Sequence, residues 1–315
     1  MSEIVKVMSK IVVVGSSNTD MVIQSEHLPA PGETILGGEF FMNPGGKGAN
    51  QAVAAAKLGG DVVFVARVGD DIFGQEAVAG FKLEGINTDF IVTDPEQPSG
   101  VATIMVDANG ENCIAVASGA NNRLSPADVD QAMAQVDAAD VLLMQLETPI
   151  ETIEYVASLG SEKGKTVILN PAPAQALSDE LLAKLDVITP NETEAEMLTG
   201  IKVENLAGAE KAAQALREKG IGTVIITLGS QGAFVLSDSF TGMVATRKVE
   251  AVDTTAAGDT FNGALAVGMA NGQAIDEAVG FANKAATISV TRLGAQASVP
   301  SLQEVEELDV SGVCA

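Results

Sequence analysis

Short β-branched runs alternate with longer alanine-rich stretches along most of this chain, and no other feature constrains its fold so tightly. The segments "KIVVVG" (10–15), "DVVFVARVG" (61–69), "DVLLMQLE" (140–147), "TVILNPAP" (166–173), "LDVITPNE" (185–192) and "GTVIITLGSQG" (222–232) read as strands. Their hydrophobicity is nearly continuous, as expected of strands covered on both faces. Between them, "GANQAVAAAKLG", "SPADVDQAMAQV", "PIETIEYVASLGSEKG" and "AGAEKAAQALREKG" read as helices, several with a polar N-cap and a glycine stop. Repetition of strand, helix and strand predicts a doubly wound, mostly parallel α/β sheet. Ligands of such sheets gather at the carboxyl ends of the strands.

Two regions break the pattern. Residues 21–43 and 99–119 look like strands joined by Pro/Gly and Asn-Gly turns, and are expected to form a small β-lid inserted into the α/β body. Residues 10–300 are expected to form one domain, preceded by a tail (1–9, with Met8 a second plausible start) and followed by a segment at 301–315. The formal net charge of −24 repels polyanions, so nucleic acid and anionic membrane are poor partners. The two cysteines, Cys113 and Cys314, have no metal-binding or disulfide-framework spacing. With no signal-peptide core and no membrane-length apolar run, a cytoplasmic protein is expected. His27 is expected at the lid surface, and Cys113 is read as a packing residue.

Polar residues cluster where the body strands end. "GSSNTD" places Asn18 and Asp20 at the end of the first strand, "NPGGKGANQ" supplies Gly46, Lys47 and Asn50, and "QLETP" supplies Glu147. Such a mixture of donors and acceptors suits a polyol, whose hydroxyls are discriminated by the groups a wrong ligand leaves unpaired. Each residue alone could equally cap a helix or end a strand. "GGKGAN" is not a P-loop, because Phe41 and Gly48 stand where that motif needs Gly and Ser/Thr, and no GxGxxG is present. "PNETEAE" contributes Asn191 and Glu194, and the Thr227-Leu228-Gly229-Ser230-Gln231-Gly232 turn suits backbone contacts to a nucleotide. Finally, "AVDTTAAGDTFNG" seats Asp259 beside Gly258 at the start of a helix, where exposed N–H groups and the helix dipole make an anion site. A carboxylate there can cap the helix, or take a proton from an attacking hydroxyl as a phosphoryl group arrives.

"NPGGKGANQA" and "DTTAAGDTFNG" resemble the two signature segments of the ribokinase-like carbohydrate kinases, and "LLMQLETP", "LNPAPA", "ITPNETEAEMLTGI" and "TRLGAQASVP" extend the likeness along nearly the whole chain. The resemblance implies a three-layer α/β/α sandwich with a β-lid, and transfer of phosphate from ATP to O5 of D-ribose. It implies sugar contacts at Asn18, Asp20, Gly46, Lys47, Asn50, Glu147 and Asp259. Nucleotide contacts fall at Asn191, residues 227–232, Gly258 and Asn283. It further implies an anion hole at Ala256, Ala257 and Gly258, Asp259 as the base, and Glu194 linked to Mg2+. A monovalent cation, usually K+, would be held at Asp253, Thr255, Ser289, Arg292, Gly294 and Ser298, with Arg292 offering its backbone oxygen; Asp253 could instead be a simple turn residue. A homodimer joined through the lids is also implied. Sibling kinases acting on deoxyribose, fructose or a nucleoside remain open, Phe40 and Phe41 being the nearby candidates for stacking a base. So does a non-catalytic sugar sensor of the same fold.

Overall fold

Strand β1 (Lys10–Val14) shows why the chain folds in layers. In the computed structural model, which describes residues 9–308, Ile11, Val12, Val13 and Val14 are all fully buried. They alternate between two cores: Val12 and Val14 pack with Leu142, Met144 and Val156, whereas Ile11 and Val13 pack with Ala52, Phe64 and Leu265. Each such side chain removed from water contributes about 1.5–3 kcal/mol, so β1 anchors both faces of the sheet at once.

The remaining strands are β2 (Asn18–Gln24), β3 (Glu39–Gly45), β4 (Asp61–Gly69), β5 (Ile91–Asp94), β6 (Gly100–Val106), β7 (Asn112–Ala117), β8 (Val141–Met144), β9 (Thr166–Leu169), β10 (Val187–Ile188), β11 (Thr223–Thr227), β12 (Ala233–Leu236) and β13 (Thr241–Val244). Among the described residues the larger sheet runs β13-β12-β11-β10-β9-β8-β1-β4-β5. It is parallel from β11 to β5 and antiparallel only where β12 and β13 extend one edge. The chain winds from β1 to β4 and β5, then returns to β8 on the other side of β1. The order therefore reverses between β1 and β8, which is where an open α/β sheet binds its ligand.

The expected lid is a second sheet ordered β3-β2-β6-β7. It differs from the sequence reading in one respect that matters. β2 begins at Asn18, so Asn18 and Asp20 ride on the lid and do not end β1. The cause is the break at residues 15–17, after which Asn18 pairs with Gly45 on one side and Gly100 on the other. Both partners are glycines with side chains packed against them: a Cβ at Gly100 would lie 2.2 Å from Asn18 Oδ1, and one at Gly45 would lie 2.2 Å from Asp20 Oδ2, so either site side chain would have to move.

Other expectations need smaller corrections. Residues 126–138 form two helices, Pro126–Gln131 and Met133–Ala138, instead of one. Cys113, read as a packing residue, is exposed on β7. His27 is on the surface as expected, with its Nε2 3.2 Å from Glu33 Oε1. Residues 1–8, Met8 included, and the end of the C-terminal segment with Cys314 lie outside the described residues. Among the described residues no helix is long and apolar enough to cross a membrane.

Candidate active site

Asp259 sits in the first turn of the Ala257–Ala270 helix. Its N-cap, Ala256, has φ 57° and ψ 17°, and is the one non-glycine residue with positive φ among those described. A left-handed alanine costs about 1–3 kcal/mol, strain of the kind that persists where a loop must hold a particular shape. Of the expected anion-hole N–H groups, that of Ala257 donates to the Thr254 carbonyl at 3.2 Å. A Cβ built on Gly258 would meet no atom within 4 Å, so the space above this turn is open.

The Asp259 side chain is only 6 % exposed and is oriented through both oxygens. Asn50 Nδ2 donates to Oδ2 at 3.0 Å and Gln51 Nε2 donates to Oδ1 at 2.9 Å. Both amides belong to the Lys47–Lys57 helix, whose N-cap Gly46 has φ 89°. On that helix Lys47, Asn50 and Gln51 share one face by their i, i+3, i+4 spacing. Across the switch point, Glu147 Oε2 accepts from Ser16 Oγ at 2.5 Å and from the Lys47 N–H at 2.9 Å. This ties the ends of β1 and β8 to the start of the helix.

These groups form one electrostatic unit. Burial raises the Asp259 carboxyl above its ordinary range, Lys47 and the donors Asn50 and Gln51 oppose the rise, and Glu147 adds to it. Burial, then the charges of Glu147 and Asp259, push Asp20 to about 6, against the pull of Lys47. Burial works against the charged Lys47 ammonium, yet Asp259, Glu147, Glu194 and Asp20 together hold its pKa above the ordinary value. Four carboxylates around one lysine leave room for further cationic or hydrogen-donating groups, such as sugar hydroxyls.

The lid joins the body through Asn121, which is 1 % exposed. Its Nδ2 donates to the Ser17 carbonyl at 3.0 Å and to Asn18 Oδ1 at 2.8 Å, while its Oδ1 accepts from the Ser17 N–H at 2.9 Å. Asn121→Ala leaves those three groups without their partner and is expected to destabilise the fold by about 2 kcal/mol in urea unfolding. A pocket of about 360 Å³ opens beside this junction, bounded by Asn18 and Val116 of the lid and by Glu147 and Thr148 after β8.

The expected nucleotide residues lie farther along the sheet edge. Asn191 and Glu194 cap the Glu192–Thr199 helix reciprocally, with Glu194 N–H on Asn191 Oδ1 at 2.8 Å and Asn191 N–H on Glu194 Oε2 at 2.9 Å. Burial raises the Glu194 carboxyl, the Asn191 N–H and Lys47 oppose this, and Asp259 and Glu192 reinforce it. The two halves of this side meet in a bridge between Asn191 and Thr227, after which Gly229–Gln231 form a turn. A Cβ on Gly229 would meet nothing within 4 Å, whereas Gly232, at φ 98°, closes the turn against β13. Asn283 is tied to the same edge, its Nδ2 donating to the Val244 carbonyl at 2.8 Å.

Three of the expected cation positions are joined directly. Asp253 Oδ1 accepts from the Thr255 N–H at 2.8 Å and Oδ2 from the Gly294 N–H at 2.9 Å, joining the two loops. Burial opposes ionisation of Asp253, but the Thr255 hydroxyl and the Thr255 and Gly294 N–H groups outweigh it and hold the pKa low. The buried hydroxyls of Ser289 and Ser298 donate to the Ala286 and Ala295 carbonyls, which keeps their lone pairs available as acceptors. The Arg292 guanidinium turns to Glu304.

Residues that sequence reasoning passed over complete the site: Ser16, Gln51, Asn121, Gln145, Asn170 and Gln296. Gln296 Nε2 donates to Asn50 Oδ1 at 3.2 Å and so fixes the amide that faces Asp259. Only Gln51 carried a local signal, as an amide beside Asn50 in an alanine-rich helix and on the same face as Lys47.

Comparison with known proteins shows the family and the fold. The sequence profile described as "pfkB family carbohydrate kinase" matches residues 8–302. A ribokinase of Haemophilus influenzae is 48 % identical over 295 residues, covering 94 % of this chain and 96 % of that protein. A deoxyribokinase of Salmonella typhi is 39 % identical over 298 residues, covering 94 % and 97 %. The structure of Arabidopsis thaliana ribokinase complexed with ribose and ATP superposes with a TM-score of 0.88 at 33 % identity, covering 95 % of this chain and 98 % of that one.

Proposed function

The chain belongs to the pfkB family of carbohydrate kinases and is of the ribokinase type, and on that footing we propose that it transfers the γ-phosphoryl group of ATP to O5 of D-ribose. The observation that carries this reading is the buried carboxylate of Asp259, gripped through both oxygens at the mouth of an open helix N-terminus. Asn18, Asp20, Lys47, Asn50 and Glu147, with the backbone of Gly46, bind the sugar hydroxyls. Asp259 takes the proton of the 5-hydroxyl as O5 attacks the γ-phosphorus and the bond to the β-phosphate oxygen breaks. The turn at Ala256, Ala257 and Gly258 meets the charge that develops on the transferred group. Closure of the lid excludes water, so that phosphate passes to the sugar.

Mg2+ would arrive with the nucleotide, neutralising phosphate charge beside Glu194. One protein carboxylate plus phosphates is a usual set for this ion, and no three His, Cys, Asp or Glu side chains are placed to hold a metal by themselves among the described residues. The oxygen donors around Asp253, Thr255, Ser289, Gly294 and Ser298, with the Arg292 carbonyl, suit a weakly hydrated monovalent cation such as K+. Residues 227–232 and Asn283 border the nucleotide. Residues 10–300 act as one catalytic unit in the cytoplasm. Copies pair through their lids, where Phe40 is 60 % and Ile114 54 % exposed.

Sugar affinity is expected to depend on Asp20. Protonation turns its carboxylate from acceptor to donor, so the KM for ribose should rise as pH falls through about 6, by roughly tenfold one pH unit lower. Stability moves the other way. With a folded pKa above its ordinary 3.8, this group's stabilisation is complete below pH 3.8 and is lost as pH rises through about 6.

A coupled assay of ADP release with ribose, deoxyribose, fructose and adenosine tests the substrate. Ribose is expected to give the highest kcat/KM. A higher value for deoxyribose would reassign the substrate, and sugar-induced stabilisation without any ADP release would mark a sensor.

A further inference from the structure

Gln51 is fully buried on a helix otherwise lined inward by glycine, alanine, valine and Asn50. Both N–H directions of its amide, and one side of its carbonyl, are assigned by its neighbours. Its Nε2 donates to Asp259 Oδ1 at 2.9 Å and to Asn170 Oδ1 at 3.0 Å, and its Oε1 accepts from Gln145 Nε2 at 2.6 Å. An amide with both sides committed cannot flip, so Asp259 always meets an N–H from this side. Gln145 follows β8 and Asn170 follows β9, so two adjacent strands of the sheet steer the amide that steers Asp259.

The arrangement carries a penalty that packing alone would avoid. Gln145 Oε1 is buried with no hydrogen-bond partner, and such an orphan costs about 1–3 kcal/mol. An apolar side chain of similar size at 145 would remove the orphan, but would also release the Gln51 carbonyl. What the amide supplies is direction.

We propose that Gln51 is a positioning residue for phosphoryl transfer, aiming the Asp259 carboxylate at the attacking hydroxyl, with Gln145 and Asn170 holding it in place. This rests on Asp259 being the base. Asn50 grips one oxygen and Gln51 the other, which fixes the plane of the carboxylate and leaves its remaining lone pairs directed towards the sugar. The donated hydrogen bond also favours the ionised form, alongside Lys47 and against the charges of Glu147, Asp20 and Glu194 that face the same carboxylate.

The test is the pH dependence of kcat in Gln51→Met, which keeps the bulk and removes the donor. At pH 7, kcat should fall by roughly 10–100-fold while the KM for ribose stays within about threefold of wild type, since the lost contact is to the base and not to the sugar. The acid limb of the kcat profile should move up by about one pH unit, so that the deficit narrows at alkaline pH. A purely structural role would lower the melting temperature without moving that limb. Gln145→Met, which frees the Gln51 carbonyl, should shift the limb in the same direction by less, and serves as the test if Gln51→Met does not fold. Limbs superimposable with wild type in the folded variants overturn the proposal. Asp259→Asn keeps the two readings apart: turnover that survives it overturns the base and this proposal together, whereas its loss beside a normal Gln51→Met profile overturns this proposal alone.

Discussion

Asp259→Asn is expected to lower kcat about a thousandfold while ribose binding changes by no more than a few fold. The substitution keeps the size of the side chain while removing its charge and its ability to take a proton, so no cavity forms. It also presents an N–H to one of the two donors that now grip the carboxylate, Asn50 at 3.0 Å and Gln51 at 2.9 Å. That mismatch should reduce stability by about 1–3 kcal/mol, so the assay belongs well below the melting temperature. Burial makes Asp259 a better base than an exposed aspartate by raising its proton affinity, and Lys47 with the donors Asn50 and Gln51 opposes that rise. Coupled ADP release gives kcat, and calorimetric titration with ribose gives affinity. Turnover within tenfold of wild type would remove Asp259 from the proton transfer.

Gly48→Ala is the second large effect. A Cβ at this position would lie 2.4 Å from the Ser16 nitrogen, 2.6 Å from the Gly15 carbonyl carbon and 2.7 Å from the Gly15 Cα. All three are backbone atoms at the end of β1, which cannot swing aside as a flexible side chain would. The Lys47–Lys57 helix must therefore retreat from the sheet. It would strain the bonds from the Gly48 N–H to Ser16 Oγ at 3.2 Å and from the Ala49 N–H to the Ser16 carbonyl at 2.8 Å. Through Ser16 and Lys47 the same shift loosens Glu147. We expect about 3 kcal/mol of lost stability in urea unfolding. We also expect a roughly hundredfold fall in kcat/KM for the sugar, because Lys47, Asn50 and Gln51 all move with the helix. A variant with wild-type stability and kinetics would show that the contact between helix and strand is looser than the structure has it.

The fold was legible wherever burial leaves a one-dimensional trace. The nearly continuous apolar runs of β1 and β4 announce strands covered on both faces, and the glycines and turns around residues 21–43 and 99–119 announce a lid. The position of Asn18 and Asp20 was not legible, because nothing in "GSSNTD" says that the chain changes sheets at residues 15–17. That depends on β2 pairing with Gly45 and Gly100, far away in sequence. The β12–β13 hairpin was missed for a similar reason: its short strands are defined by pairing with each other and with β11.

The candidate site divides in the same way. Lys47, Asn50, Gly258 and Asp259 stand in compact motifs whose local chemistry is unusual enough to read directly. Asn121 and Asn170 are ordinary amides in ordinary surroundings, and acquire meaning only by meeting Ser17 and Gln51, 104 and 119 positions away. Gln145 likewise meets Gln51 across 94 positions. Hydrogen-bond partners that the topology brings together leave no periodicity in the chain, so the frame around the carboxylate had to be seen in three dimensions.

The most direct measurement is a crystal structure of this chain with D-ribose and a non-hydrolysable ATP analogue, lid closed. The ribose O5 should lie about 2.6–3.2 Å from an Asp259 carboxylate oxygen, with the γ-phosphate over Gly258. An O5 beyond hydrogen-bonding reach of Asp259 in the closed complex, or a different hydroxyl in its place, would refute the proton transfer assigned to this residue.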